Sequence, residues 1–129
     1  MEYQQWLVEI RPEIIVTNSD NSLTEEFQNE TVRPILKLLN TTIIEFSRSF
    51  IAALDINFKN KTNQEIEQIL INLVKKHPTF KTYLLGMVIS YFTKIELSTY
   101  LASQKQHNKR IYILLQERLR SQLLLLGNL

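Results

Sequence analysis

The chain contains no cysteine and only two glycines, three prolines and two histidines among its 129 residues. Without cysteine it can form no disulfide, no thiolate metal site and no cysteine nucleophile. Two glycines are too few for a glycine-rich phosphate loop, or for the many turns of an all-β sandwich. These absences exclude disulfide-rich domains, phosphate-loop enzymes and thiol catalysts.

Long apolar runs are also missing. The longest strongly apolar stretch, Tyr83–Ile89, is far shorter than the roughly 20 residues that span a bilayer. The N-terminus lacks the basic region of a signal peptide, so we expect a cytoplasmic protein with no membrane partner. The length fits a single domain over 1–129, with an N-terminal helix and polar linker in 1–21 and a helical core in 22–129.

Charge is nearly balanced overall but unevenly distributed along the chain. The formal net charge is +2, yet residues 1–30 carry seven acids against one base, and residues 31–129 carry fourteen bases against six acids. Two interpretations follow. Either the acidic N-terminal part lies over a basic body, or a basic face is open to an anionic partner.

Apolar residues recur at helical spacing through most of the chain, and no stretch indicates a β-strand. We therefore predict an all-α fold, an irregular antiparallel bundle of five or six helices. The main helices are expected at about 31–54, 79–92, 94–104 and 109–126. The helix over 79–92 is apolar on nearly every side, which predicts a central position packed by several neighbours.

Helix starts are marked by capping residues. Capping boxes, in which two side chains satisfy free backbone N–H groups, are predicted at Ser22–Glu25, Thr62–Glu65 and Thr93–Glu96. Thr31 and Asn108 are further predicted N-caps for the helices that follow them.

Several segments resemble a family of small, uncharacterised bacterial proteins. The resemblance rests on Gln28–Leu38, Leu85–Ile89, Phe92-Thr93 and Asn108–Arg110, and it covers most of 22–126. It implies an all-helical fold. Some members carry a "glyoxalase" label, but this sequence has neither the strands nor the paired His and Glu ligands of that fold. The resemblance therefore implies no catalytic residues.

Basic residues supply the first candidate contacts. Arg33 and Lys37 lie one helical turn apart, where two like charges repel unless an acid or an anion relieves them. Lys109 and Arg110 belong to the basic last helix. We expect these four residues either to be solvated or paired within the chain, or to contact an anion or a partner.

Small and apolar residues supply a second set of candidate contacts. Thr82, Gly86 and Ser90 share one stripe of the helix over 79–92, and glycine there costs about 1 kcal/mol relative to alanine. That stripe predicts a close helix crossing, within the chain or between two copies, or the floor of a groove. The run Leu123, Leu124, Leu125 and Leu126 covers all sides of the last helix, which predicts a dimer contact or a frayed tail.

Neither histidine stands in a metal-binding or catalytic pattern. His77 continues an apolar stripe before Pro78, which predicts a core-edge or capping role, and His107 lies in a polar run that predicts a solvated loop. We predict no catalytic residues, no metal and no cofactor.

The residues thus favour a non-enzymatic protein that acts through protein–protein contact, as a homodimer or with an unidentified partner protein. Two alternatives stay open. One is a nucleic-acid-associated factor that uses the basic C-terminal helix, and the other is an enzyme of unrecognised type with a pocket near Arg33.

Overall fold

The computed structural model describes residues 2–14 and 23–122, and for residues 23 and 24 it describes the backbone only. Its elements in chain order are α1 (Tyr3–Glu9), α2 (Leu23–Phe27), a π-helical turn (Gln28–Val32), α3 (Arg33–Leu38), α4 (Asn40–Ala53), α5 (Asn63–Lys76), α6 (Pro78–Ile89), α7 (Lys94–Ala102) and α8 (Gln104–Ser121).

Within these residues every regular element is a helix, so the all-α prediction is confirmed. The arrangement as an antiparallel bundle of five or six helices is not confirmed. In the same described ranges, no helix combines the length and apolar character needed to cross a membrane. The polar stretch over 17–22, which contains the predicted linker, lies outside the described residues.

The core is built around α8, which packs against α5, α6, α7, α3 and the π-helical turn. Its inward stripe is almost completely buried, with Ile111, Leu115 and Leu119 at 0–1% exposure. Leu70 of α5 and Leu84 of α6 are both fully buried in the same cluster. The apolar spacing that predicted these helices also identifies the face that each one buries.

The helix predicted over 31–54 is interrupted. Leu39, with φ −89° and ψ 5°, separates α3 from α4. The N-cap prediction for Thr31 is wrong, because Thr31 lies buried inside the π-helical turn and its hydroxyl donates to Glu96 Oε2 at 2.9 Å. A π-helical turn admits one extra residue into the helix, a change that apolar spacing does not reveal.

Two of the predicted capping boxes are confirmed, at Thr62–Glu65 and Thr93–Glu96. In each, the threonine hydroxyl accepts the N–H of the glutamate and the carboxylate accepts the N–H of the threonine. The third box begins at Ser22, outside the described residues. The Asn108 cap is wrong because α8 begins earlier, at Gln104, and Asn108 lies inside it, where it accepts a hydrogen bond from the Tyr100 hydroxyl.

Helix α6 is not packed on every side as its composition predicted. Phe80, Leu84 and Val88 are fully buried, whereas Tyr83 is 57% exposed and Gly86 is also exposed. The prediction of a fully central helix is therefore wrong. One face of α6 completes the core, and the opposite face is open.

Candidate functional site

The open face of α6 forms a surface groove of about 640 Å³. Its described lining residues are Pro78, Thr79, Thr82, Tyr83, Gly86 and Met87, none of which is charged. They form three pairs of adjacent residues that recur every four positions, so they share a single stripe of the helix. Two of the three residues predicted for a crossing or groove, Thr82 and Gly86, lie in this lining.

Gly86 has empty space where another residue would carry its side chain. Apart from the adjoining backbone of α6, a Cβ built at this position meets no heavy atom of the described residues within 4 Å. Ser90, the third residue of the predicted stripe, is exposed at the C-terminal end of α6 and donates to the Met87 carbonyl at 2.7 Å. The described residues therefore place no second helix against the stripe.

The rigid backing of the groove is aromatic. Phe80, on the inner face of α6, stacks with Phe46 at 6.2 Å and contacts Phe50 at 5.0 Å between ring centroids. Tyr83 on the open face lies 5.3 Å from Phe46. Phe46 of α4 thus contacts one residue on each face of α6 and supports the exposed ring of Tyr83.

His77 positions the start of α6. It is the N-cap residue, and its Nδ1 accepts the N–H of Phe80 at 3.3 Å, while its ring meets Phe50 edge-on. Pro78 follows in the first turn, where its missing N–H leaves no hydrogen bond unmade. The predicted capping role of His77 is confirmed.

The prediction for His107 is wrong. Its side chain is buried within α8, its ring lies 4.6 Å from that of Phe27, and Tyr100 flanks it. Burial lowers the pKa of His107, so the folded chain favours the neutral imidazole. The surrounding run Gln-Lys-Gln-His-Asn-Lys is polar because most of its residues are exposed, whereas His107 is buried and Asn108 is half-buried.

Arg33 acts electrostatically on Arg118, a relation that the sequence analysis did not predict. Burial first, and then the positive charge of Arg33, lower the pKa of Arg118. Arg118 Nη1 donates to Asn40 Oδ1 at 3.3 Å, and Arg33 Nε donates to Asn29 Oδ1 at 3.1 Å. Among residues 2–14 and 23–122, no carboxylate lies within 4 Å of either guanidinium.

The other predicted basic contacts lie elsewhere. Lys37 Nζ donates to the Glu13 carbonyl at 3.2 Å, which ties α3 to the segment after α1. Lys109 and Arg110 are exposed, about 12 Å or more along α8 from Arg118 at the usual helical rise. Lys109 and Arg110 therefore lie apart from Arg118, whose pKa responds to the charge of Arg33.

A partly buried ion pair that the sequence analysis did not predict joins the segment after α1 to α7. Arg11 donates to both oxygens of Glu96 at 2.7 Å and to the Tyr91 carbonyl at 2.9 Å. Burial tends to raise the pKa of Glu96, but the bonds from Arg11, Thr93 and Thr31 outweigh it and leave the pKa lowered. The capping box at Thr93 had identified Glu96 as a capping residue. The sequence did not indicate Arg11 as its partner, because the two residues lie 85 positions apart.

Two further predictions concern metals and the C-terminus. In the part of the chain that the structure describes, no three histidine, aspartate or glutamate side chains gather in a way that could hold a metal ion. Leu123, Leu124, Leu125 and Leu126, the predicted dimer contact, lie outside the described residues.

Comparison with known proteins identifies no relative. No protein-family model, no curated protein and no solved structure matches the chain. The resemblance to small bacterial proteins stays a prediction.

Proposed function

We propose that this chain is a non-enzymatic cytoplasmic protein that works by pairing with a second copy of itself through the open face of α6. The observation that carries the proposal is the empty space at Gly86, where, apart from the adjoining backbone of α6, no atom of the described residues comes within 4 Å of a built Cβ. Glycine inside a helix costs about 1 kcal/mol relative to alanine. A helix from another chain that crosses at this point would make use of the space.

The composition of the face favours self-pairing. An isologous interface brings the same surface together twice about a two-fold axis, so each residue near the axis meets its own copy. Charged side chains near the axis would repel, but the lining residues that the structure describes are all uncharged. The net charge of +2 adds little long-range repulsion between copies.

Tyr83 supplies an anchor of the kind that interfaces use. It is 57% exposed, and Phe46 supports its ring at 5.3 Å. Exposed aromatic rings held in place by a neighbour contribute much of the energy in protein interfaces. In the proposed dimer the two α6 helices cross near Gly86, and each Tyr83 enters the groove of the other copy.

The nucleic-acid alternative has less support. Two of the basic residues of α8 are already engaged, since Arg118 donates to Asn40 and Arg120 Nη2 lies 3.7 Å from Glu67 Oε2. That leaves Lys105, Lys109 and Arg110 exposed at the other end of the helix. Such a patch is small for the phosphate contacts that drive nucleic-acid binding.

The enzyme alternative would need polar groups gathered around Arg33. The pocket beside the π-helical turn is lined by Arg11, Glu13 and Glu30 among others, and Arg33 and tyrosine are absent from its described lining. Arg11 is already bound by Glu96. This pocket offers less support for a catalytic function than the groove offers for pairing.

The test is the mass of the protein in solution as a function of concentration. Sedimentation equilibrium of the full chain should show a rise from 15.3 kDa to twice that mass as concentration increases. Gly86→Arg places a charge and a large side chain at the crossing, and it should hold the protein at the monomer mass.

Gln68→Arg is the matched control, because it adds the same side chain at an exposed position of α5. It should dimerise as the unaltered chain does. A wild-type chain that stays at 15.3 kDa at every concentration, or a Gly86→Arg variant that dimerises normally, would overturn the proposal.

A further inference from the structure

A second surface, beside α1, is separate from the pairing face on α6. Two cavities form it, one of about 600 Å³ between α1 and the start of α7 and one of about 390 Å³ beside the π-helical turn. Val8 lines both cavities, so they adjoin. Neither shares a described lining residue with the groove on α6. We call this surface, which includes Val8, Glu9, Glu13, Glu30 and Ile95, the acidic groove.

Two aliphatic side chains stand out from the walls of the acidic groove. Ile95 in the first turn of α7 is 80% exposed, and Val8 of α1 is 52% exposed. Leu7 is the buried residue of α1, and it anchors the helix with Val8 outward. Gln4 ties the two walls together, since its Oε1 accepts the N–H of Lys94 at 2.6 Å. Exposed aliphatic residues grouped at one cavity mark a site of interaction.

Three exposed carboxylates line the same surface without a basic partner among the described residues. Glu9 belongs to α1, Glu13 to the segment after it and Glu30 to the π-helical turn. Within the two described ranges, no lysine or arginine nitrogen lies within 4 Å of these carboxylates. Lys37 donates to the backbone carbonyl of Glu13 and leaves its carboxylate unpaired.

The two bases in the described lining offset little of this charge. Arg11 donates to both oxygens of Glu96, so that pair is neutral. Lys94 then supplies one positive charge against the three carboxylates. The excess of negative charge disfavours a nucleic acid or an anionic membrane as the occupant, because both carry the same sign.

We propose that the acidic groove binds a segment of a partner protein in which an aliphatic side chain is flanked by lysine or arginine. The aliphatic side chain lies between Val8 and Ile95, and the basic flanks face the carboxylates of Glu9, Glu13 and Glu30. Charge complementarity of this kind speeds association and rejects acidic partners. The π-helical turn supports a role for Glu30, since such turns occur frequently at functional sites.

The experiment follows the fluorescence anisotropy of a short labelled peptide of leucine and lysine as the full chain is added at low ionic strength. A peptide of the same length made of leucine and glutamate is the control for charge. The lysine peptide should bind about tenfold more tightly or better, and its affinity should fall as salt screens the exposed carboxylates.

Substitutions locate the binding on the surface. Ile95→Ser and Glu30→Gln should each weaken binding of the lysine peptide several-fold. Ile113→Ser and Glu117→Gln make the same changes at exposed positions of α8, and both should bind as the unaltered chain does. Gly86→Arg should also bind the peptide normally, which separates this site from the pairing face.

The proposal is wrong if the glutamate peptide binds as tightly as the lysine peptide, or if Ile113→Ser weakens binding as much as Ile95→Ser does. A second copy of the chain in the acidic groove would also overturn it. In that case the Gly86→Arg chain would associate with itself at low ionic strength, and adding Glu30→Gln would remove that association.

Discussion

The two faces of α6 have similar apolar character but different surroundings. Phe80, Leu84 and Val88 face the core and are completely buried. Thr82, Tyr83 and their neighbours face outward and line a groove whose described residues are uncharged. The inner face packs in the core of one chain, whereas no described element of the chain packs against the outer face.

This difference separates stability from function within a single helix. Changes on the inner face should alter the free energy of unfolding, and changes on the outer face should alter the association of two copies. Four predictions test that separation, beginning with the largest expected effect.

The first prediction compares two aromatic residues three positions apart on α6. Phe80→Ala removes a fully buried ring that packs on Phe46 and Phe50, so it should lower the free energy of unfolding by about 3–5 kcal/mol. Tyr83→Ala removes an exposed ring and should cost under about 1 kcal/mol. Urea denaturation at low protein concentration measures both. Equal losses would contradict the assignment of an inner and an outer face.

The second prediction concerns acid. Because burial lowers the pKa of His107, stability should fall as pH drops through the ordinary histidine value of 6.5. Because the pKa of Glu96 is also lowered, stability should fall further below the ordinary glutamate value of 4.5, as the Glu96 carboxylate takes up a proton and its ion pair with Arg11 is lost. The described residues of the groove lining include no group that titrates in this range.

Acid should therefore weaken folding without weakening pairing. Denaturation midpoints measured across this pH range should fall, while the dimer dissociation constant stays the same wherever the chain is still folded. A dissociation constant that rises with acidity while the unfolding midpoint stays constant would reverse the assignment.

The third prediction tests the cap that orients α6. His77→Ala removes the side-chain acceptor for the Phe80 N–H and should cost about 1 kcal/mol. His77→Asn supplies a good N-cap acceptor and should restore most of that loss. Thermal denaturation of the two variants makes the comparison, and an asparagine variant as unstable as the alanine variant would show that the cap is not the cause.

The smallest expected effect has opposite signs in the two measurements. Gly86→Ala should stabilise the folded chain by about 0.5–1 kcal/mol, because alanine favours the helix and its Cβ meets nothing within 4 Å. The same methyl group lies at the proposed crossing and should weaken association. Denaturation at low concentration and sedimentation at high concentration check the two signs, and a variant that improves both would argue against a crossing at Gly86.

Helical spacing and capping motifs were enough to predict the fold class, two of the capping boxes and the capping role of His77. Those features depend on residues three or four positions apart, so the sequence displays them directly. The π-helical turn around Thr31 was missed because it changes that spacing locally, and the burial of His107 was missed because its neighbours in sequence are polar.

The candidate sites were predicted less completely. Thr82 and Gly86 were identified from their spacing on one helix. The ion pair of Arg11 with Glu96 depends on a contact across 85 residues. Contacts of that range follow from how helices pack, and the pattern of a single sequence does not encode which charged residues will meet.

The absence of cysteine allows the most direct test of the pairing face, because one introduced thiol is then the only one in the chain. In a Gly86→Cys variant, two helices that cross at this position bring the Cα atoms within disulfide range, about 4.4–6.8 Å. Mild oxidation should convert this variant to a covalent dimer, while Gln68→Cys should stay largely monomeric. A Gly86→Cys variant that cross-links no faster than Gln68→Cys would contradict the proposed dimer.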